Sequence, residues 1–143
     1  MPRPVFRAFT LLSLAFVLLA GPLRADDTLY ITLGGQAGVA TIVDRAVTLF
    51  FADPRLRDDF DNIAPARLKA RLADQICQLS GGPCQYRGRS MTSSHAALHI
   101  DRARFNAVAE DLQTAMEQAG IPYWTQNRLM ALLAPMQRDI VTQ

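Results

Sequence analysis

The chain has 143 residues, half of them hydrophobic and 20% charged, with a formal net charge of +2. A chain of this length forms one domain with a single hydrophobic core. Acidic and basic residues are nearly balanced, so the chain lacks the basic face that a nucleic-acid-binding protein presents. The composition therefore excludes a nucleic-acid partner.

The N-terminal segment has the pattern of a secretory signal peptide. Arg3 and Arg7 precede Ala8–Ala20, an uncharged apolar run that is too short for a comfortable membrane span. We therefore expect residues 1–25 to be removed and the remaining domain, residues 26–143, to be exported to the periplasm with no membrane span of its own. The alternative is an uncleaved leader that anchors the domain to the membrane.

Removal of the leader changes the charge balance. Three of the 15 basic residues lie in residues 1–25, so the remaining domain has 12 basic against 13 acidic residues, a net charge of −1. The basicity of the whole chain is therefore largely a property of its leader.

Five segments of the domain repeat hydrophobic residues every three or four positions, which is the period of an α-helix. No run of alternating β-branched residues competes with them. The sequence therefore predicts an all-α domain. The five hydrophobic stripes lie within residues 39–50, 68–79, 91–98, 105–116 and 129–140.

Glycine, proline and aspartate residues mark the expected helix ends. Pro54 ends the first long helix, because proline cannot continue a helix and restricts the residue before it. Pro65 suits the first turn of the next helix, and Gly81 suits a left-handed cap at its end. Asp101 is the expected N-cap of the helix that carries Phe105.

The chain has two cysteines, Cys77 and Cys84. An exported protein meets an oxidising compartment, which favours disulfide pairing. A metal site or a redox dithiol is the alternative, but C-x6-C is not a usual spacing for either. We favour a structural disulfide.

The chain also has only two histidines, His95 and His99. One interpretation is a pair of partly buried histidines that bind no ligand. A second is a zinc pair, which lacks an evident third ligand. A third is a single iron-ligating histidine that faces a large apolar slot. Periodicity alone favours the first interpretation.

A haem site needs an axial nitrogen, an apolar slot for the macrocycle and cations near the rim for the propionates. The segment that starts near Pro65 offers an apolar stripe, with Arg67, Lys69 and Arg71 in its first turns. Each of these residues is also explained as an ordinary core or surface position. The residues predicted to line such a slot beside His95 are Phe60, Leu68, Leu72, Ile76, Met91, Ile100, Phe105 and Val108.

From about residue 29 to residue 141, the chain resembles the group I truncated haemoglobins. An ordered set of motifs carries the resemblance, with a histidine, His95, twelve residues after Pro83. The matching stretches are Leu33–Gly35, Ala52–Leu56, Gly81–Pro83, Gly120–Pro122 and Leu133–Pro135, with Phe60, Tyr86, Gly88, Met91, Ile100 and Phe105 between them.

This resemblance implies a two-on-two helical sandwich around haem b. It implies that His95 is the proximal iron ligand and that Phe60 packs on the haem. It also implies that Arg67 and Arg71 face the propionates.

The distal positions depart from the family pattern. Many members have a tyrosine where this chain has Val47, and a glutamine is common where it has Leu72. Leu68, the third distal position, is apolar as well. A distal hydrogen-bond donor favours dioxygen over carbon monoxide, so we expect a site that is less selective for oxygen. Gln75 is the one nearby donor that we propose as a replacement, although an exposed helix glutamine is the alternative.

Three functions from different classes follow. The leading hypothesis is an exported globin that reversibly binds diatomic gases, namely oxygen, carbon monoxide or nitric oxide. The second is a haem enzyme that removes nitric oxide or peroxide with an external reductase as its electron donor. The third is a haem-free helical protein that has kept the fold for packing or for binding a partner.

Overall fold

The computed structural model describes residue 1 and residues 28–142, and every regular element in this part of the chain is helical. The expected signal peptide falls almost wholly outside these residues. Within residues 28–142, no helix has both the length and the apolar character that crossing a membrane requires. The elements are α1 (Leu29–Thr32), α2 (Gly35–Ala52), α3 (Arg57–Phe60), α4 (Pro65–Leu79), α5 (Met91–His95), α6 (Arg102–Gln118), α7 (Tyr123–Leu133), a 3-10 turn (Ala134–Met136) and α8 (Gln137–Ile140).

Helix α2 is at the centre of the fold and packs against both α4 and α6, while α6 also packs against α7. Its buried residues recur every three or four positions, as the sequence pattern predicts. On α6, the fully buried Ala107 and Ala115 have small side chains that allow the two helices to approach closely. The result is the predicted all-α, two-on-two sandwich. The buried face of α2 consists of Val39, Ile42, Val43, Ala46, Val47 and Phe50.

The corner between α1 and α2 requires glycine. Gly34 adopts a left-handed backbone with φ +90° and caps α2. A Cβ atom added to Gly38 would lie 2.0 Å from the carbonyl oxygen of Leu33, a separation that no real side chain tolerates. Leu33 is fully buried, so these glycines let the short α1 fold back onto the core.

The predicted helix ends are largely confirmed. Pro65 is the first residue of α4, and Gly81 follows this helix with φ +85°. Asp101 caps α6, because its side chain accepts a 2.8 Å hydrogen bond from the backbone N–H of Arg104. Such caps satisfy N–H groups that have no partner within the helix.

Two helical predictions are wrong at their C-terminal ends. The stripe over residues 91–98 stops early, since α5 ends at His95 and Leu98 is exposed. The stripe over residues 129–140 is not one helix, because the 3-10 turn that contains Pro135 separates α7 from α8. Proline lacks the N–H that would continue the helical hydrogen bonds.

The predicted disulfide is confirmed. Cys77, in the last turn of α4, is joined to Cys84 in the loop before α5, with a Cα–Cα distance of 5.7 Å. The two residues are the only cysteines of the chain.

Candidate functional site

His95 occupies the last position of α5, and its ring is held by the backbone of its own helix. Its Nδ1 lies 2.8 Å from the carbonyl oxygen of Met91, one turn earlier. A carbonyl oxygen only accepts hydrogen bonds, so Nδ1 carries a proton, and in the neutral imidazole this leaves the lone pair on Nε2. An oriented imidazole with a free Nε2 is the form in which histidine binds a metal. His95 is half-buried, so the residue is not enclosed in the hydrophobic core.

A serine cap helps to form the short α5. The Oγ atom of Ser90 accepts a hydrogen bond of 3.2 Å from the N–H of Ser93. A helix of five residues has little stability of its own, so such a cap matters more here than in a long helix. Ser90 therefore helps to place His95.

Gln75 joins three elements around the candidate site. Its amide nitrogen donates to the sulfur of Met91 on α5 at 3.4 Å and lies 3.6 Å from the sulfur of Met136 in the 3-10 turn. Gln75 is half-buried, so it is not the fully exposed glutamine that the sequence left as the alternative. Its role as a distal donor stays a prediction, and its amide hydrogens already have partners.

Two of the three predicted rim cations are free. Arg67 and Arg71 are exposed on α4 and form no ion pair within residues 28–142. Lys69 differs, because its Nζ is 2.5 Å from a carboxylate oxygen of Asp44 on α2. This ion pair engages Lys69, which the sequence had offered to a propionate. That Arg67 and Arg71 face the propionates stays a prediction.

The predicted lining residues fall into two groups according to their burial. Val47, Ile76 and Ile100 are buried. The others are half-buried apolar side chains on α3, α4, α5 and α6, neither packed away in the core nor fully in water. Half-burial is compatible with residues that border a slot for a flat apolar group, and that these residues line one such slot stays a prediction. The half-buried residues are Phe60, Leu68, Leu72, Met91, Phe105 and Val108.

Phe60 is fixed by two other aromatic residues. Its ring stacks on Phe50 at a centroid distance of 5.4 Å and lies 5.7 Å from the ring of Phe51. Both partners belong to α2, so the stack attaches α3 to the central helix. Aromatic pairs at these distances add specific geometry to the packing.

The distal positions of the resemblance are all apolar in the structure too. Val47 on α2 is 1% exposed and belongs to the core, while Leu68 and Leu72 on α4 pack against the same core from the side. None of the three side chains carries a hydrogen-bond donor.

The zinc interpretation of the two histidines finds no support. His99 lies beyond α5 with a left-handed backbone (φ +50°) and an exposed side chain, so it does not share a helix face with His95. Within the described part of the chain, no group of three or more His, Cys, Asp and Glu side chains is placed to hold a metal ion. A single axial nitrogen is thus the ligand that His95 offers.

An ion cluster near the end of α2 was not found from the sequence. Arg55 bonds both carboxylate oxygens of Asp53 and reaches Glu110 on α6 at 2.6 Å. Hydrogen bonds from Arg55 lower the pKa of Asp53. Burial, reinforced by the charge of Asp53, raises the pKa of the neighbouring Asp111. The Asp-Pro-Arg turn was visible in the sequence, but its partner lies 55 residues away.

Comparisons with known proteins agree with this architecture. Residues 28–142 match the family described as bacterial-like globin. The group 1 truncated haemoglobin of Nostoc sp. (strain MUN 8820) is 33% identical over 95 residues, which cover 66% of this chain and 80% of that protein.

Solved structures show the same fold. The truncated haemoglobin of Tetrahymena pyriformis, in its Fe(III) form, superposes with a TM-score of 0.78 at 24% identity, over 81% of this chain and 99% of that one. The haemoglobin of the thermophilic phototrophic bacterium Chloroflexus aurantiacus gives a TM-score of 0.71 at 27% identity, over 81% of this chain and 98% of that one.

The helical sandwich and the single oriented histidine define a protein of the globin class. The chain belongs to the bacterial-like globin family, and its fold is that of the truncated haemoglobins.

Proposed function

We propose that this protein is an exported globin that binds haem b through His95 and reversibly binds diatomic gases at the iron. The observation that carries the proposal is the hydrogen bond between His95 Nδ1 and the Met91 carbonyl. It fixes the ring and leaves Nε2 as the coordinating atom.

The other residues of the site fit a haem by their chemistry. The half-buried apolar side chains of Leu68, Leu72 and Phe105 suit the macrocycle. The exposed guanidinium groups of Arg67 and Arg71, which form no ion pair with another residue of 28–142, suit two propionates, because arginine binds carboxylates with paired hydrogen bonds. Haem held by these residues would supply the iron atom to which a gas molecule binds.

The chain's own contribution to ligand choice is an apolar distal side. Val47, Leu68 and Leu72 are apolar and donate no hydrogen bond, and Val47 is buried in the core. A hydrogen bond to a charged acceptor is worth about 1.5–3 kcal/mol. Its absence corresponds to roughly a tenfold to hundredfold weaker hold on oxygen, at about 1.4 kcal/mol per decade. Carbon monoxide depends less on such a bond, so the site discriminates poorly between the two gases.

Spectroscopy of the purified protein tests haem binding. We expect an intense Soret band that shifts when carbon monoxide is added to the reduced protein. A protein that shows no Soret band after reconstitution with haem would overturn the proposal and leave the haem-free helical protein as the explanation. Turnover of nitric oxide with a supplied reductant, at a rate above that of free haem, would instead favour the enzyme.

Export is supported by the leader pattern of residues 1–25 alone. Fractionation of cells that express the full chain, with N-terminal sequencing of the product, tests it. We expect the protein in the periplasmic fraction with a new N-terminus near residue 26. Recovery of the intact chain in the cytoplasm would overturn export, and recovery in the membrane would indicate an uncleaved anchor.

A further inference from the structure

We propose that the Cys77–Cys84 disulfide is a redox-sensitive tether that holds the proximal segment against α4 and thereby controls how tightly the protein retains haem. The proposal rests on the proposed function, and it adds a regulatory element to the same site. Its basis is the position of the disulfide between the helix that carries the distal residues and the loop that leads to His95.

Beyond the backbone hydrogen bonds of the turn at residues 80–82, three links within the described part of the chain join α4 to residues 84–91. The disulfide joins Cys77 to Cys84. Next to Cys77 on α4, the side-chain oxygen of Gln78 accepts a 2.5 Å hydrogen bond from the N–H of Tyr86. Farther along, Gln75 contacts Met91 at the start of α5. The disulfide is the only covalent link of the three.

The contact between Gln75 and Met91 leads directly to the proximal histidine. The Met91 sulfur accepts a hydrogen bond from the side-chain amide of Gln75, and the Met91 carbonyl accepts the hydrogen bond from His95. A shift of the loop that moves Met91 away from α4 therefore also moves the group that orients His95.

The start of the loop is held by backbone hydrogen bonds, since Tyr30 N–H donates to the Ser80 carbonyl at 2.9 Å and Gly82 N–H donates to the Cys77 carbonyl at 2.8 Å. Residues 83–89 form no backbone–backbone hydrogen bond within the described part of the chain. Residues 80–90 form no helix or strand. Tyr86 donates to the carbonyl of Arg89 at 2.9 Å, which is a local contact within the loop. Gly82 packs so closely on the disulfide that a Cβ atom added there would lie 2.6 Å from Cys77 Sγ. Without the covalent bond, the backbone hydrogen bond of Gly82 still holds this turn to α4, but the residues after Pro83 keep only the Gln78–Tyr86 hydrogen bond to the end of that helix.

The cost of ordering the loop sets the size of the effect. In the oxidised protein, the covalent bond closes the eight-residue loop before haem arrives. In the reduced protein, the loop becomes ordered in part only when haem binds. The entropy cost of ordering the loop then weakens haem binding. The closure entropy of an eight-residue loop limits the loss of haem affinity to about 60-fold.

Opening the disulfide needs a two-electron reductant, which for a biological partner is a dithiol. The disulfide takes up two electrons and two protons, its S–S bond breaks to give two thiols, and the reductant dithiol becomes a disulfide. Cys77 is buried, whereas Cys84 is half-buried and is the more accessible cysteine of the two. A concavity of about 600 Å³ separates this turn from α1 and is lined by Thr28, Tyr30, Ile31, Gly81, Gly82 and Pro83. Haem is thus held weakly where thiols are reduced and firmly where they are oxidised.

Haem transfer to excess apomyoglobin measures the effect. The ferric holoprotein is compared in its oxidised form and after treatment with a phosphine reductant that is then removed without oxygen. We expect reduction to accelerate haem loss by fivefold to 60-fold. The double variant Cys77→Ala, Cys84→Ser is the matched control: it should lose haem at the fast rate and not respond to the reductant.

A readout without haem follows from two exposed arginines of the loop, Arg87 and Arg89. In the apoprotein, reduction should accelerate trypsin cleavage after both residues at least fivefold. Cleavage after Arg128, on α7 and away from the loop, should not change. Equal acceleration at Arg128 would indicate general unfolding and would contradict a local tether.

The possible outcomes separate this proposal from the function on which it rests. An oxidised protein with a normal Soret band whose haem transfer changes less than twofold on reduction would overturn the tether alone. An oxidised protein that binds no haem would overturn the proposed function as well. If the double variant does not fold, haem transfer from the chemically reduced wild type is the test of the tether. Loss of helical circular dichroism in the reduced wild type would also contradict the tether.

Discussion

The amide nitrogen of Gln75 lies 3.4 Å from the sulfur of Met91, and the carbonyl of the same methionine accepts the hydrogen bond from His95. A side chain of α4, the helix that carries Leu68 and Leu72, thus contacts the residue that orients the proposed iron ligand. Met91 thus connects the two sides of the candidate site. We therefore expect a substitution on one side to change the behaviour of the other.

Replacement of Gln75 distinguishes its two possible roles. Because its amide already has sulfur partners, we expect Gln75→Leu to change the oxygen dissociation rate less than about twofold. Loss of the contact with Met91 should instead accelerate haem transfer to apomyoglobin. Stopped-flow oxygen dissociation checks the first result. An oxygen dissociation rate about tenfold faster in the variant would show that Gln75 is a distal donor, as the sequence suggested.

A donor introduced at a distal position should restore oxygen selectivity. Leu72→Gln places an amide at a half-buried position without a large change of volume. We expect oxygen dissociation to slow by about tenfold or more, the equivalent of one hydrogen bond to a charged acceptor. Carbon monoxide dissociation should change less than threefold. Equal slowing of both gases would show that the substitution only narrows the path to the iron.

The cap of α5 should affect haem retention. Ser90→Ala removes the acceptor for the N–H of Ser93 and costs about 1 kcal/mol of helix stability. We expect haem transfer to apomyoglobin to accelerate about fivefold, at 1.4 kcal/mol per decade. Thr92→Ala, at an exposed position on the same helix, is the control and should leave the rate unchanged. Equal haem-transfer rates for Ser90→Ala and the wild type would show that the cap does not affect haem retention.

Two carboxylates of one cluster should act on stability in opposite directions. The pKa of Asp53 is lowered by its hydrogen bonds with Arg55, so its ionised form stabilises the fold, and this contribution is lost as the pH falls through that lowered pKa. The pKa of Asp111 is raised by burial, so its ionised form opposes folding at neutral pH.

Thermal unfolding at several pH values checks this pair. At neutral pH we expect Asp53→Asn to lower the melting temperature and Asp111→Asn to raise it. Both differences should shrink in acid, where the wild-type carboxylates are protonated. A lower melting temperature for Asp111→Asn at neutral pH would contradict the effect assigned to burial.

The sequence predicted the long elements well, for a physical reason. In α2, the hydrophobic period alone identifies the buried face from Val39 to Phe50, because a long amphipathic helix packs its apolar face against the core. The caps at Pro65 and Asp101 are local chemistry, so they too were visible in advance. Short elements were harder to predict: Leu98 continues the period of α5, but nothing in the pattern shows that the chain turns after His95.

Contacts between distant parts of the chain could not be predicted. Lys69 was expected at the rim, yet it pairs with Asp44, 25 residues earlier. The contacts of Gln75 with Met91 and Met136 cross 16 and 61 residues. Such pairs depend on how helices pack, which hydrophobic spacing does not determine. The disulfide was predictable because the chain has two cysteines and they lie close in sequence.

The assignment of His95 as the iron ligand is tested most directly by a cavity variant with added imidazole. In His95→Gly, we expect the Soret band of the wild type to be lost or shifted and to return when imidazole is supplied, since imidazole replaces the missing ring. His99→Gly, the matched control, should keep the wild-type spectrum. A His95→Gly protein that holds haem with an unchanged spectrum and does not respond to imidazole would contradict the account.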